Sequence, residues 1–137
     1  MTLQVKLKPS IYILKETEDI YQVVYTATRR IRRFEVDTLI KEVIEKTRHE
    51  QDLAKLTEEL GVRFGHEAAT SSLRALEQTG ILMVYSDERV NPLYERQIAF
   101  LDEVTTSHQE SLVQQRRIEE STIAVFGIGG IGTWIVN

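Results

Sequence analysis

The spacing of apolar and polar positions changes period twice along the chain. Residues 1–36 carry strand signals. Ile11, Tyr12, Ile13 and Leu14 form a short β-rich run, and residues 20–26 form the strongest one, rich in aromatic and β-branched side chains. Residues 30–36 read as a third strand. Polar turns at 17–19 and 26–29 are short enough for an antiparallel meander. The period then becomes helical. Asp37 is placed to cap a first helix with Leu39, Ile40, Val43 and Ile44 on one face. A second helix is predicted from about Asp52 to Leu60, with Leu53, Leu56 and Leu60 inward and Gly61 as its stop. A third, about His66 to Thr79, presents Ala69, Leu73 and Leu76, and Gly80 closes it. Residues 81–85 return to a strand pattern.

This order predicts an α+β fold: a winged helix-turn-helix made of a three-stranded antiparallel sheet and three helices, over residues 1–86. Residues 87–120 read as a linker and helical segment, with Ile98, Leu101, Val104, Leu112 and Val113 as its apolar positions and a break expected at residues 105–108. Residues 121–126 have the pattern of a buried strand and run into Gly127, Gly129, Gly130 and Gly132, a G-x-G-G-x-G cluster. Such glycines after a strand allow a tight turn and close backbone approach to phosphate. Residues 121–137 are therefore expected to be the truncated start of a Rossmann-like nucleotide-binding domain, with too little of it present to hold a nucleotide.

Composition narrows the chemistry. With no cysteine among the 137 residues, disulfides, thiolate zinc sites and thiol catalysis are excluded. His49, His66 and His108 are scattered and make no metal set, so neither a metal nor a cofactor is expected in this chain. No apolar run approaches the ~20 residues of a membrane span, and the N-terminus lacks the apolar core of a signal peptide. A cytoplasmic address is the expectation. The formal net charge is -4. Residues 37–60 hold four basic and seven acidic side chains, and the third helix holds Glu67, Arg74 and Glu77. A recognition helix of that sign would lose rather than gain against phosphates, which argues against DNA binding.

The positive charge is concentrated elsewhere. Arg29, Arg30, Arg32 and Arg33 put four of the seventeen basic residues within five positions. On a strand, Arg30, Arg32 and Phe34 share one face and Ile31 and Arg33 the other. A charged edge strand resists pairing with its own copies and attracts acidic segments.

Two resemblances follow from these residues. Leu93-Tyr94-Glu95-Arg96-Gln97, with the strand and glycine cluster about thirty residues later, resembles the N-terminal signature of ThiF/MoeB-type adenylating enzymes, relatives of ubiquitin-activating enzymes. Arg96 and Gln97 fall on that family's second arginine and glutamine, and Leu93 stands where it has its first arginine. The resemblance implies that Arg96 and the four glycines are a remnant of a nucleotide site, with ATP and magnesium belonging to a full-length parent.

Three strands followed by three helices, ahead of such a start, resembles the precursor-peptide recognition element of ribosomal peptide natural-product pathways, a winged helix similar to the PqqD chaperone. That resemblance implies a non-catalytic module of peptide or bacteriocin biosynthesis. It would capture a leader peptide as an added strand along Arg30, Ile31, Arg32, Arg33 and Phe34, packed towards Ala69, Ser72, Leu73 and Leu76 of the third helix. The implied partners are the precursor peptide and a modifying enzyme such as a cyclodehydratase, with no nucleic acid and no membrane. The alternative is the N-terminal part of an adenylating enzyme that activates a carboxylate. A homodimer is expected through residues 121–137, whose apolar strand would otherwise stay uncovered.

Overall fold

The computed structural model describes residues 2–86, 91–105 and 107–124. Its elements are mixed α+β, with two three-stranded antiparallel sheets among the described residues. Strands β2 (Ile11–Lys15), β3 (Ile20–Tyr25) and β4 (Arg30–Glu35) form the predicted meander, sheet B, in the order β2-β3-β4. Val23 opposes Ile13 on one side and Arg32 on the other. The turn before β4 closes with Arg29 in the left-handed region, at φ 53°.

The second sheet was not foreseen. β1 (Leu3–Leu7) is central in sheet A, between β6 (Leu82–Ser86) and the two-residue β5 (Gln51–Asp52). Leu7 pairs with Leu82 and Gln4 with Asp52. The expected single three-stranded sheet is thus two sheets, because the N-terminal segment finds its partners far along the chain.

Between β4 and β6 in the sequence come α1 (Thr38–Lys46), α2 (Leu53–Phe64) and α3 (His66–Gln78). Asp37 and Asp52 cap α1 and α2 by accepting from the Ile40 and Lys55 amides, at 2.8 and 2.9 Å. The expected stop at Gly61 is not where α2 ends. Gly61 is buried inside the helix, where an added Cβ would stand 2.2 Å from His66 Nδ1. The helix ends at Gly65, whose φ of 94° suits glycine and which alone joins α2 to α3. Gly80 closes α3 at φ 73°, with the Ile81 amide donating to the Leu76 carbonyl.

One hydrophobic cluster draws on both sheets and all three helices: Val5 and Leu82, Ile11 and Val23, Leu39 and Val43, Leu56 and Leu60, and Ala69, Leu73 and Leu76. Complete burial of residues such as Leu56 and Leu60 contributes roughly 1.5–3 kcal/mol each.

After a single 3-10 turn at Pro92–Tyr94, helices α4 (Glu95–Val104) and α5 (His108–Glu120) form a hairpin, broken where the poor helix formers predicted it. Residues 121–124 are exposed and extend no strand; the rest of the predicted strand and the glycine cluster lie outside the described residues. No described helix is long and apolar enough to cross a membrane.

Candidate peptide-binding edge

β4 has β3 on one side only, so its other edge is open among the described residues. The hydrogen-bond parity of that edge follows from one contact. The Val36 amide donates to the Asp19 carbonyl at 2.9 Å, in register with the Ile20–Glu35 pairing. Bonded and non-bonded pairs alternate in an antiparallel ladder. Arg30, Arg32 and Phe34 therefore spend their main-chain groups on β3, while Ile31, Arg33 and Glu35 turn theirs to the open edge.

The two faces of β4 differ as well. On the outer face Arg33 is held by Glu16, which accepts from its Nε at 2.8 Å and from a terminal nitrogen at 2.6 Å. Gln22 donates to the same carboxylate at 2.9 Å. The Gln22 hydrogen bond first, then Arg33, holds the Glu16 carboxyl below its ordinary value. Ile31 is 64% exposed there, in a row with Val24 and Tyr12. On the inner face Phe34 packs against the core cluster. Arg30 and Arg32 make no hydrogen bond or ion pair among the described residues and line a groove of about 360 Å³.

That groove runs from the start of β4 past the C-terminal end of α3, at residues 77–80, to β6 and the α4–α5 corner. Tyr25 lies in its wall and donates through its hydroxyl to the Thr79 carbonyl at 2.8 Å. Burial raises the Tyr25 phenol above its ordinary value, against the lowering effect of Arg32. The α4–α5 corner is lashed in place by partly buried polar contacts. Lys8 Nζ donates to the Asp102 carbonyl at 2.6 Å, and His108 Nδ1 lies 2.9 and 3.0 Å from the Asp102 carboxylate oxygens. The His108 ring meets Tyr85 edge-on at 5.7 Å, and the Tyr85 hydroxyl donates to Glu50.

The residues expected on α3 fall differently from those on β4. Ala69, Leu73 and Leu76 are core residues, with Ala69 fully buried, and Ser72 is half-buried. The helix contributes its last turn, with Glu77, Gln78 and Thr79, to the groove that Arg30 and Arg32 face. Sequence reasoning missed Glu77, Thr79, Glu103 and His108 as groove residues, and Glu16 as the partner of Arg33. These meet β4 only through tertiary packing, which leaves no local signal. Arg96 is exposed on α4, without an ion pair among the described residues; Gly127, Gly129, Gly130 and Gly132 lie outside them. Among the described residues no group of acidic and histidine side chains could hold a metal ion.

Self-pairing along β4 is electrostatically opposed. In a two-fold antiparallel pairing of Arg30–Glu35 with its copy, the two registers of greatest overlap set Arg32 against Arg32 or Arg33 against Arg33. Like charges directly opposite one another destabilise a ladder.

Searches of protein-family models, curated proteins and solved structures return no match for this chain.

Proposed function

We propose that the chain is a peptide-binding module: an extended segment of another polypeptide adds as a strand to the open edge of β4. On this reading it is a winged-helix precursor-recognition element that binds rather than catalyses. The segment it takes is the leader of a ribosomal precursor, which it delivers to a modifying enzyme. The observation that carries the reading is the open edge itself. Ile31, Arg33 and Glu35 offer their amides and carbonyls outward on a six-residue strand whose charges disfavour a second copy. Main-chain bonds of that kind supply affinity without demanding one sequence, and alternate side chains supply selectivity.

The test is fluorescence polarisation with a labelled leader peptide from a precursor gene adjoining this one. Ile31→Pro removes an outward donor while leaving the bonds to β3 in place, so binding should be lost with the fold retained by circular dichroism. Full affinity in a folded Ile31→Pro protein would refute strand addition.

A further inference from the structure

Strand addition alone would make β4 indifferent to sequence, yet its two faces are unequal. The arginine cluster divides by partner. Arg33, on the outer face, is already paired with the Glu16 carboxylate at 2.6 and 2.8 Å. Arg30 and Arg32, on the inner face, carry no such partner among the described residues and border the groove. Phe34 follows them on the same face and leans on the core. Side chains of an added strand alternate with the same period of two, so every second residue of the incoming segment stands beside one of these three.

From this we infer that the edge selects a particular pattern: two acidic residues separated by one position, abreast of Arg30 and Arg32, with an apolar residue two further along, abreast of Phe34. The intervening position beside Ile31 is apolar, continuing the outer-face row of exposed Tyr12, half-buried Val24 and exposed Ile31. Glu77 and Glu103 line the same groove. A carboxylate is therefore matched beside Arg30 and Arg32 and repelled where it approaches Glu77 or Glu103. Arg29, in the turn, and Arg33, already paired, contribute little to selection. This inference rests on the proposed strand addition and specifies its ligand.

The experiment uses the whole chain and a displayed library of random dodecapeptides as the probe. Selected sequences should share two acidic residues at i and i+2. Replacing either by its amide in a synthetic copy should weaken binding roughly fivefold, as for a partly exposed ion pair. Selection on the Arg30→Glu, Arg32→Glu double variant should instead recover Lys or Arg at the same spacing. Arg33→Gln should leave the selected pattern unchanged. Because a proline in β4 could disturb folding, strand addition is read independently by N-methylating the selected peptide one residue at a time: alternate positions should abolish binding.

If alternate N-methylation abolishes binding but the selected peptides lack spaced acids, strand addition stands and the charge pattern is overturned. The charge pattern is equally overturned if the double reversal leaves the acidic preference intact. If N-methylation has no effect, or no peptide is enriched, both readings fall.

Discussion

The hydroxyl of Tyr25, at the end of β3, donates to the main-chain carbonyl of Thr79, at the end of α3, across 54 residues of sequence. The bond joins sheet B to the last turn of α3, beside the groove that Arg30 and Arg32 border. Tyr25→Phe keeps the ring and removes the donor. The expected loss is about 1 kcal/mol, the usual net worth of one hydrogen bond. It should appear in urea unfolding as a lower midpoint with an unchanged slope.

Gly61 and His66 are coupled across the α2–α3 junction. A methyl group at Gly61 would collide with the His66 ring, with its nearest atom 2.2 Å away. Alanine normally stabilises a helix interior by roughly 1 kcal/mol over glycine. Gly61→Ala should therefore destabilise the natural chain but stabilise the His66→Ala variant. A double-mutant cycle of thermal or urea midpoints measures the difference; additive effects would mean that the ring moves aside freely.

Glu16 supplies a pH dependence. Its carboxyl, bonded by Gln22 and Arg33, ionises below its ordinary value of 4.5. The unfolded chain binds that proton first as the pH falls. The stabilisation is thus fully present above pH 4.5 and is lost as the pH drops through the lower folded value. Carboxyl carbon shifts in an NMR titration should place the Glu16 midpoint below 4.5. Glu16→Gln should remove its share of the acid-side slope in stability. The pair is exposed, so the amplitude is small.

The docking of the α4–α5 hairpin rests on a buried contact between Asp102 and His108. The side chains of Asp102 and His108 are only 9% and 10% exposed and face each other at 2.9 Å. Removing one member leaves the other buried without its partner, the costly way to break such a pair. Asp102→Ala should raise amide exchange across residues 95–120 by at least about tenfold, with protection in β1 and β6 maintained. Uniform exchange throughout the chain would place the pair in the global core instead.

Much of this architecture was legible because it is local. The meander strands, the Asp37 cap and the break between α4 and α5 each follow from a few adjacent residues. β1 had a readable alternation, Leu3, Val5 and Leu7 against Gln4 and Lys6, but nothing nearby identifies Leu82 as the partner of Leu7. Gly61 and Gly65 are four residues apart and each could end a helix. The first lies within α2 beside His66, and the positive φ of the second makes it the stop. At the edge, the shared face of Arg30, Arg32 and Phe34 follows from period two alone. The α3 side does not, since the apolar stripe Ala69, Leu73 and Leu76 marks the face turned to the core, and the helix meets the groove with its polar last turn.

The central place of β1 has a consequence for the order in which the molecule is made. Sheet B can close once residue 35 has emerged from the ribosome, since each of its strands pairs with the next. Sheet A cannot, because β1 must wait for β6. Its closure is the non-local step, with the larger entropic cost of joining distant segments. Until β6 has emerged, Val5, fully buried at the end, has a strand on one side only, the two-residue β5. The pairing of Leu3 with Ser86 and Leu7 with Leu82 then acts as a seal that only a chain translated past β6 can make. A nascent chain halted before that point would display an open hydrophobic strand to chaperones and proteases, which makes this pairing a checkpoint on completeness.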